Sequence, residues 1–196
     1  MRRWFGFCVV VSLSLVAPAA WATTYTIDPE HSTVAFRIRH LFSNVAGSFD
    51  QYEGTFVYTP GQPDAWRVSA TIHTASIDTK VEARDKHLRS KDFFEVAQYP
   101  TITFTSTGVT DVTPTTAKLQ GLLNLHGVEQ PVVLDVEIHG EGKDPWGNMR
   151  SGFTARTRLN RKDFGITWNK IGEAGQLLGD DVEIILEVEG LAQGTP

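Results

Sequence analysis

The chain alternates between apolar and polar residues over most of its length after residue 22. Phe36 and Ile38, for example, fall on one side of an extended segment, whereas Arg37 and Arg39 fall on the other. The same period of two recurs in residues 24–28, 31–40, 53–59, 66–73, 102–106, 117–125, 132–139, 151–158 and 182–189. Short turn-rich links separate these segments, so the pattern predicts an all-β chain of about eight antiparallel strands, closed as a barrel or stacked as a sandwich.

Residues 76–100 interrupt the alternation and predict a helix. Thr79 and Glu82 have the spacing of a capping box, in which each side chain bonds an orphan amide of the other. The helix is expected to be short, polar and mostly exposed, and it leads into Phe93 and Phe94. A single helix inserted in a β-chain is expected to cover a sheet edge or a barrel end.

Two other stretches show no strand pattern. Residues 41–50 are expected to be irregular, with Gly47 as a bend. Residues 160–179 are rich in glycine and polar residues, with Phe164 and Trp168 embedded in them. No internal repeat or linker is visible, so residues 23–196 are expected to form one domain.

The first 22 residues resemble a signal peptide. Arg2 and Arg3 precede an apolar run over 4–17, and Ala20-Trp21-Ala22 has the small-x-small form of a cleavage site. A membrane anchor is the alternative, but the run is short for one. We therefore expect export to the periplasm with cleavage after Ala22.

The charge balance argues against some partners. Lys and Arg total 18 against 23 Asp and Glu, a formal net charge of −5, and cleavage would remove two of the arginines. An acidic chain is a poor partner for nucleic acid. No long apolar run follows residue 22, so stable membrane insertion is not expected, and the one cysteine, Cys8, lies in the signal peptide.

Residues that could perform catalysis or bind metal are scattered. The six histidines show no ligand-pair spacing, so no metal site is expected. The chain has no Gly-x-Ser-x-Gly elbow and no phosphate-binding glycine loop, so it is not expected to be an enzyme. Charged neighbours, Arg84 with Asp85 and Asp163 with the basic pair at 161–162, are expected to form ion pairs at the surface or at a helix end.

Large apolar side chains collect on the inward face of the predicted strands and beside the helix. They are expected to line a cavity for an apolar ligand, and an ordinary filled core is the alternative. The candidate lining residues are Phe36, Ile38, Phe56, Trp66, Ile72, Phe93, Phe94, Phe104, Leu123, Phe153 and Trp168.

These segments, taken together and in order, resemble the YceI-like family of polyisoprenoid-binding proteins. The resemblance rests on Asp28-Pro29-Glu30-His31-Ser32, Gly47-Ser48-Phe49, Ser76-Ile77-Asp78-Thr79, the block from Arg84 to Ser90 with Phe93-Phe94 and Tyr99-Pro100, the segment from Gly121 to Val128, and that from Arg161 to Ile166. It implies an eight-stranded antiparallel, lipocalin-like barrel with a helix near one end and an apolar interior that holds a long isoprenoid or similar lipid tail, often that of a quinone. It supplies no catalytic residues and no cofactor beyond the bound lipid, and it leaves the role of His31, Arg84, Asp85 and His87 open.

The expected function is therefore that of a periplasmic protein that binds a polyisoprenoid or similar long-chain lipid for sequestration, storage or transport. The alternative is a structural or stress-related periplasmic interaction module with a filled core. Pairing of exposed strands such as 150–158 with a second copy would give a homodimer.

Overall fold

The structure is a computed structural model that describes residues 22–173 and 175–194. The expected signal peptide lies outside the described residues except for Ala22. Within them, no helix has both the length and the apolar character needed to cross a membrane.

The described chain is mostly strand. The strands are β1 (Thr23–Ile27), β2 (Thr33–His40), β3 (Ser43–Phe49), β4 (Tyr52–Tyr58), β5 (Arg67–His73), β6 (Ile77–Asp78), β7 (Thr101–Thr110), β8 (Thr116–Leu125), β9 (Val128–Lys143), β10 (Met149–Asn160), β11 (Ile171–Gly172), β12 (Gly175–Gln176) and β13 (Leu178–Ala192). The α-helix of the described part, α1, spans Glu82–Leu88, and short 3₁₀ helices span Pro63–Ala65, Thr74–Ser76 and Arg161–Phe164.

Eight of these strands close an antiparallel barrel, as the sequence predicted. Their order is β1-β4-β5-β7-β8-β9-β10-β13, and β13 pairs again with β1, where Tyr25 lies opposite Ala192. Closure leaves no free edge in the ring, and eight strands enclose an interior of the size that side chains or one ligand can fill.

Strand β13 also carries the three remaining strands of this sheet. Residues 190–192 pair with β1, whereas residues 178–187 pair with β2, which pairs in turn with β3 and then β6. The sheet therefore continues beyond the ring on one side, towards the end of the barrel that bears α1.

The expectation that residues 41–50 are irregular is wrong, because they contain β3. Gly47 is not a bend but a strand residue that packs against an aromatic ring. A Cβ atom on Gly47 would lie 2.5 Å from Cζ of Phe36, so the ring of Phe36 requires glycine there. The sequence shows this glycine but not the ring that occupies its side-chain space.

Residues 160–179 are partly ordered as secondary structure. The 3₁₀ helix Arg161–Phe164 is followed by the β11–β12 pair. Arg161 is buried, and its guanidinium donates to the carbonyl oxygens of Ile166 at 2.7 Å, Trp168 at 2.9 Å and Gly179 at 2.9 Å. It therefore fixes both ends of this segment.

The expected pairing of Asp163 with its basic neighbours is wrong. Arg161 and Lys162 instead reach Asp180 at the start of β13, at 3.1 Å and 2.8 Å. The sequence could not show this partner, because the contact joins segments that are distant along the chain.

The predicted helix exists, but the capping box is wrong. The N-cap is Val81, which makes no side-chain capping bond. The hydroxyl of Thr79 instead donates to the carboxylate of Asp85, and Arg84 donates to the Thr79 hydroxyl at 2.6 Å. Asp85 is 6% exposed, so the expected surface ion pair between Arg84 and Asp85 is also wrong: both side chains bond Thr79.

The buried apolar side chains form separate clusters along the barrel. The helix-end cluster contains Phe36, Phe49, Ile77, Phe93, Ile102, Leu125, Phe164 and Ile166. The hairpin-end cluster, named for the nearby β9–β10 turn, contains Tyr25, Phe56, Tyr58, Trp66, Ala117 and Ile138. A smaller cluster of Leu119, Leu134 and Ala155 is the third.

The expectation that strand 150–158 pairs with a second copy is wrong. These residues belong to β10, whose two edges bond β9 and β13. Dimerisation through another surface stays a prediction.

Candidate functional site: an apolar cavity along the barrel

A cavity of about 690 Å³ runs through the barrel interior. Its volume falls within the range of about 300–1,000 Å³ that is typical of ligand pockets. All eleven candidate residues named from the sequence lie on its wall: Phe36, Ile38, Phe56, Trp66, Ile72, Phe93, Phe94, Phe104, Leu123, Phe153 and Trp168. That they contact a ligand stays a prediction.

The cavity is elongated along the strands. On β13, Val182, Ile184, Leu186 and Val188 line it at every second position, and Leu178 extends the row towards α1. The part of β13 from Leu178 to Val188 spans roughly 30 Å. Its length along the barrel axis is somewhat less, because barrel strands are tilted. The interior therefore suits a long, narrow apolar molecule better than a compact one.

Aromatic rings form the wall at the hairpin end. Phe56 stacks on Tyr25 with centroids 4.9 Å apart, and Phe153 meets Phe56 and Tyr58 edge-on at 5.3 Å and 5.0 Å. Tyr25 is completely buried, and its hydroxyl donates to Glu141 at 2.9 Å. Burial, assisted by the adjacent carboxylate, raises the pKa of Tyr25 above its usual range, so the phenol stays neutral.

The helix end of the cavity is aromatic too, but it carries polar groups. The imidazole of His87 lies edge-on to Phe93 and Trp168, with centroids 5.0 Å and 4.8 Å away. Its Nε2 lies 2.9 Å from a carboxylate oxygen of Asp92. The sequence reasoning left His87 without a role, and the structure places it on the cavity wall.

Several polar side chains on the wall already bond within the protein. The Tyr52 hydroxyl donates to the Ser32 carbonyl oxygen at 2.5 Å. Arg84 bonds the hydroxyl and carbonyl oxygens of Thr79, at 2.6 Å and 2.7 Å, and Arg161 holds the carbonyls described above. Most of the wall that a ligand meets is therefore aliphatic side chain and aromatic ring.

Several wall residues were missed from the sequence. Val81 and Ala83 are solvent-exposed and also line the cavity, so the cavity reaches the surface at the start of α1. One sequence feature could have pointed to this part of the wall: Val81 and Leu88 are spaced two helical turns apart, which puts two apolar side chains on one helix face. Leu177 was hidden because it lies in the segment read as irregular.

A polar cluster lies at the hairpin end of the barrel. Asp28, His31 and Glu189 bring three potential metal-ligand atoms within 4.8 Å of one another. The carboxylates of Asp28 and Glu189 each accept from the same Nη1 atom of Arg150 at 2.7 Å. The guanidinium thus occupies the position between these carboxylates that a cation would need, and the expectation of no metal stays a prediction.

Arg150 perturbs the carboxylates that surround it. Hydrogen bonds from Arg150, and then from His31, lower the pKa of Asp28 to about 2. Burial opposes ionisation of Asp144, but bonds from Asn148 and Arg150 still lower its pKa to about 2. The cluster joins the β1–β2 link, the β9–β10 turn and β13, which indicates a structural role.

The chain belongs to the YceI-like family, whose domain model matches residues 25–190. It is 44% identical over 196 residues to a UPF0312 protein of Azotobacter vinelandii, covering 98% of this chain and 100% of that one. It is 43% identical to Protein YceI of Salmonella arizonae, covering 98% of each chain.

Solved structures show the same barrel. The YCEI protein of Campylobacter jejuni is 31% identical, with a TM-score of 0.69 over 78% of this chain and 88% of that one. Burkholderia cenocepacia BcnA, 19% identical, gives a TM-score of 0.75 over 83% of this chain and 98% of that one. A polyisoprenoid binding domain from Saccharophagus degradans, 17% identical, gives 0.64 over 86% and 98%.

Proposed function

We propose that this protein is exported to the periplasm and holds the tail of a polyisoprenoid or similar long-chain lipid inside its barrel. The observation that carries the proposal is the elongated cavity of about 690 Å³, with an apolar wall from Trp168 at one end to Trp66 at the other. Tyr52, Arg84 and Arg161 on this wall already have partners within the protein, so a hydrocarbon chain can replace water beside them without leaving these donors unpaired.

Tail burial supplies the binding energy in this account. Each buried methylene-sized group contributes roughly 0.8 kcal/mol of transfer free energy before the cost of ordering the chain. The wall offers few free polar partners for a head group, so chain length should influence affinity more than head-group chemistry does.

Support for the ligand class comes from the fold and from the family. The Saccharophagus degradans domain described as polyisoprenoid-binding has the same barrel, and we propose the same class of ligand for this chain. A quinone is a suitable variant, because His87 and Trp168 at the helix end could flank a flat, weakly polar head group. Such a ligand would be sequestered, stored or transported between membranes.

Export is the second part of the proposal and is supported by the sequence of residues 1–22. The intact mass of protein from the periplasmic fraction should correspond to a chain that begins at Thr23. A retained Met1, or protein found only in the membrane pellet, would contradict it.

Extraction of the purified protein with organic solvent, followed by mass spectrometry, tests the ligand class. The proposal predicts that a lipid with an isoprenoid chain is recovered in a stable ratio to protein. Recovery of no lipid, together with failure to take up added long-tail quinone, would favour the alternative of an interaction module.

A further inference from the structure

Three large apolar side chains protrude into solvent near the place where the cavity reaches the surface. Phe42 is 81% exposed in the turn between β2 and β3, and Ile171 is 83% exposed in β11. Val81, just before α1, is 46% exposed and also lines the cavity. We call Phe42, Val81 and Ile171 the apolar rim.

Backbone hydrogen bonds connect the two segments that carry Phe42 and Ile171. The N–H of Leu41 donates to the carbonyl of Leu177 at 3.0 Å, and the N–H of Leu177 donates to the carbonyl of Lys170 at 2.8 Å. Phe42 is the residue after Leu41, and Ile171 is the residue after Lys170. The β2–β3 turn and the β11–β12 pair therefore project from the same point of the barrel.

The third rim residue lies at the same end. The methyl group of Thr79 lies beside Gly47, so the chain after β6 runs along β3 towards its start. Val81 and Val45, the next inward residue in that direction, both line the cavity. Phe42 is three residues beyond Val45, in the turn that precedes β3.

One more side chain of comparable exposure, Trp146, lies at the opposite end. It is 82% exposed in the turn between β9 and β10. On β13, Leu178 pairs with His40 near the rim, whereas Leu191 pairs with Arg150 beside the Trp146 turn. Thirteen residues of strand separate these pairs, roughly 40 Å at about 3.3 Å per residue.

The charge near the rim differs from that of the whole protein. The chain carries a formal charge of −5. In the rim segments, residues 39–44, 80–86 and 168–178, cations outnumber carboxylates. Lys80 pairs with Asp78, and Arg84 and Asp85 both bond Thr79, so the exposed charges that remain are Arg39, Lys86 and Lys170 against Glu82 and Glu173. Protruding apolar residues with cations beside them fit the interface of a bilayer that contains anionic lipid.

We propose that the apolar rim is a membrane-docking surface, through which a lipid passes between a bilayer and the cavity. The inference rests on the proposed function, because a long apolar tail would otherwise have to cross water to reach the barrel. Docking places the opening beside Val81 and Ala83 against the bilayer, so the tail stays in apolar surroundings throughout the transfer. The rim inserts into the interface and does not span the membrane.

Flotation of the purified protein with ligand-free vesicles of phosphatidylethanolamine and phosphatidylglycerol tests the rim directly. The double variant Phe42→Ser/Ile171→Ser removes two protruding side chains that do not line the cavity, and should weaken vesicle binding by at least about tenfold. Trp146→Ser, the matched control, removes an equally exposed side chain at the other end and should float like the unaltered protein. Part of the unaltered protein should remain bound to the vesicles at high salt, because salt screens the attraction between charges but not the insertion of apolar side chains.

Transfer of a long-tail quinone from the same vesicles gives the second readout. The rate should rise with vesicle concentration and fall in the double variant, whereas the double variant and the unaltered protein should have the same affinity for detergent-solubilised quinone.

Failure of the unaltered protein to float, or equal flotation by the double variant, would overturn the docking surface even if the barrel binds quinone. Concentration-dependent self-association that the double variant abolishes, without flotation, would instead identify the rim as a contact between copies. Flotation without any quinone uptake would retain the docking surface and refute the proposed ligand.

Discussion

The carboxylate of Asp85 accepts a hydrogen bond from the backbone N–H of Thr79 at 2.9 Å and another from its hydroxyl. Asp85 is in the middle of α1, and Thr79 follows the last strand before it. The side chain of Asp85 therefore fixes the turn that precedes its own helix. Because α1 contributes Arg84, His87 and Leu88 to the cavity wall, the same contact positions one end of the site.

We predict that Asp85→Ala lowers the free energy of unfolding by about 2–3 kcal/mol, since it leaves two buried donors of Thr79 without an acceptor. Urea unfolding measures the change. The control, Asp163→Ala, removes an exposed carboxylate and should cost less than about 0.5 kcal/mol. Equal effects of the two variants would contradict the role given to Asp85.

Arg84→Ala should damage stability more than lipid binding. Arg84 makes two charged hydrogen bonds to Thr79, so its loss should cost about 1–3 kcal/mol. Melting temperature and the yield of bound lipid are to be measured on the same preparation, with Lys86→Ala, exposed on the same helix, as the control. An unchanged melting temperature with lost lipid would make Arg84 a ligand contact.

Arg150→Met should lower stability at neutral pH and flatten its dependence on acid. The folded-state pKa of Asp28 is about 2, below the usual 3.8. Its ionisation therefore stabilises the fold above about pH 4, and that contribution is lost as pH falls from about 4 to 2. Allowing for screening of this partly exposed group, the contribution of Asp28 is about 1 kcal/mol.

The measurement for Arg150→Met is the free energy of unfolding across that pH window. The difference from the unaltered protein should be largest near neutral pH and shrink towards pH 2. Arg156→Met is the matched control, because the Arg156–Glu137 pair is exposed on the barrel wall and should contribute at most about 1 kcal/mol. A difference that does not vary with pH would show that Arg150 acts by packing alone.

Strand alternation predicted about eight antiparallel strands, because each strand has one face in the interior and one in solvent. It left a barrel and a sandwich as alternatives, and only the resemblance to the YceI-like family implied the barrel. The alternation failed at Gly47, where the sequence cannot show that Phe36 fills the side-chain space. Asp85 and Arg161 were expected to be surface charges, but both are buried. Asp85 accepts from the backbone N–H of Thr79, before its helix, and Arg161 donates to the backbone carbonyl oxygen of Ile166. Local sequence shows a charge, whereas its partner depends on the tertiary fold.

The candidate site was predicted in part. Large inward residues such as Phe56 and Phe104 follow from the alternation, but a filled core would show the same pattern. The presence of a cavity depends on how far the aromatic rings reach across the barrel. The alternation along a single strand gives no information about that reach. The opening at Val81 and Ala83 could be found only once α1 was placed over the barrel end.

Placing a larger side chain inside the cavity should shorten the lipid that fits. Leu123 lines the cavity, whereas its neighbour Leu122 faces outward and is partly exposed. Leu123→Trp should therefore move the preferred tail to fewer isoprene units, and Leu122→Trp should leave the preference unchanged. Competition between quinones of different tail length measures this, and the same preference in both variants would argue against binding inside the barrel.

Tail burial in the barrel is the proposed basis of binding, and a titration with quinones that differ only in tail length can establish or refute it. Each added isoprene unit, with five carbons, could contribute roughly 4 kcal/mol by transfer. Ordering of the chain should reduce this to about 1.4 kcal/mol, or about tenfold in affinity. Affinity should rise with each unit and level off when the cavity of about 690 Å³ is full. Affinity that does not change with tail length but responds strongly to the head group would contradict it.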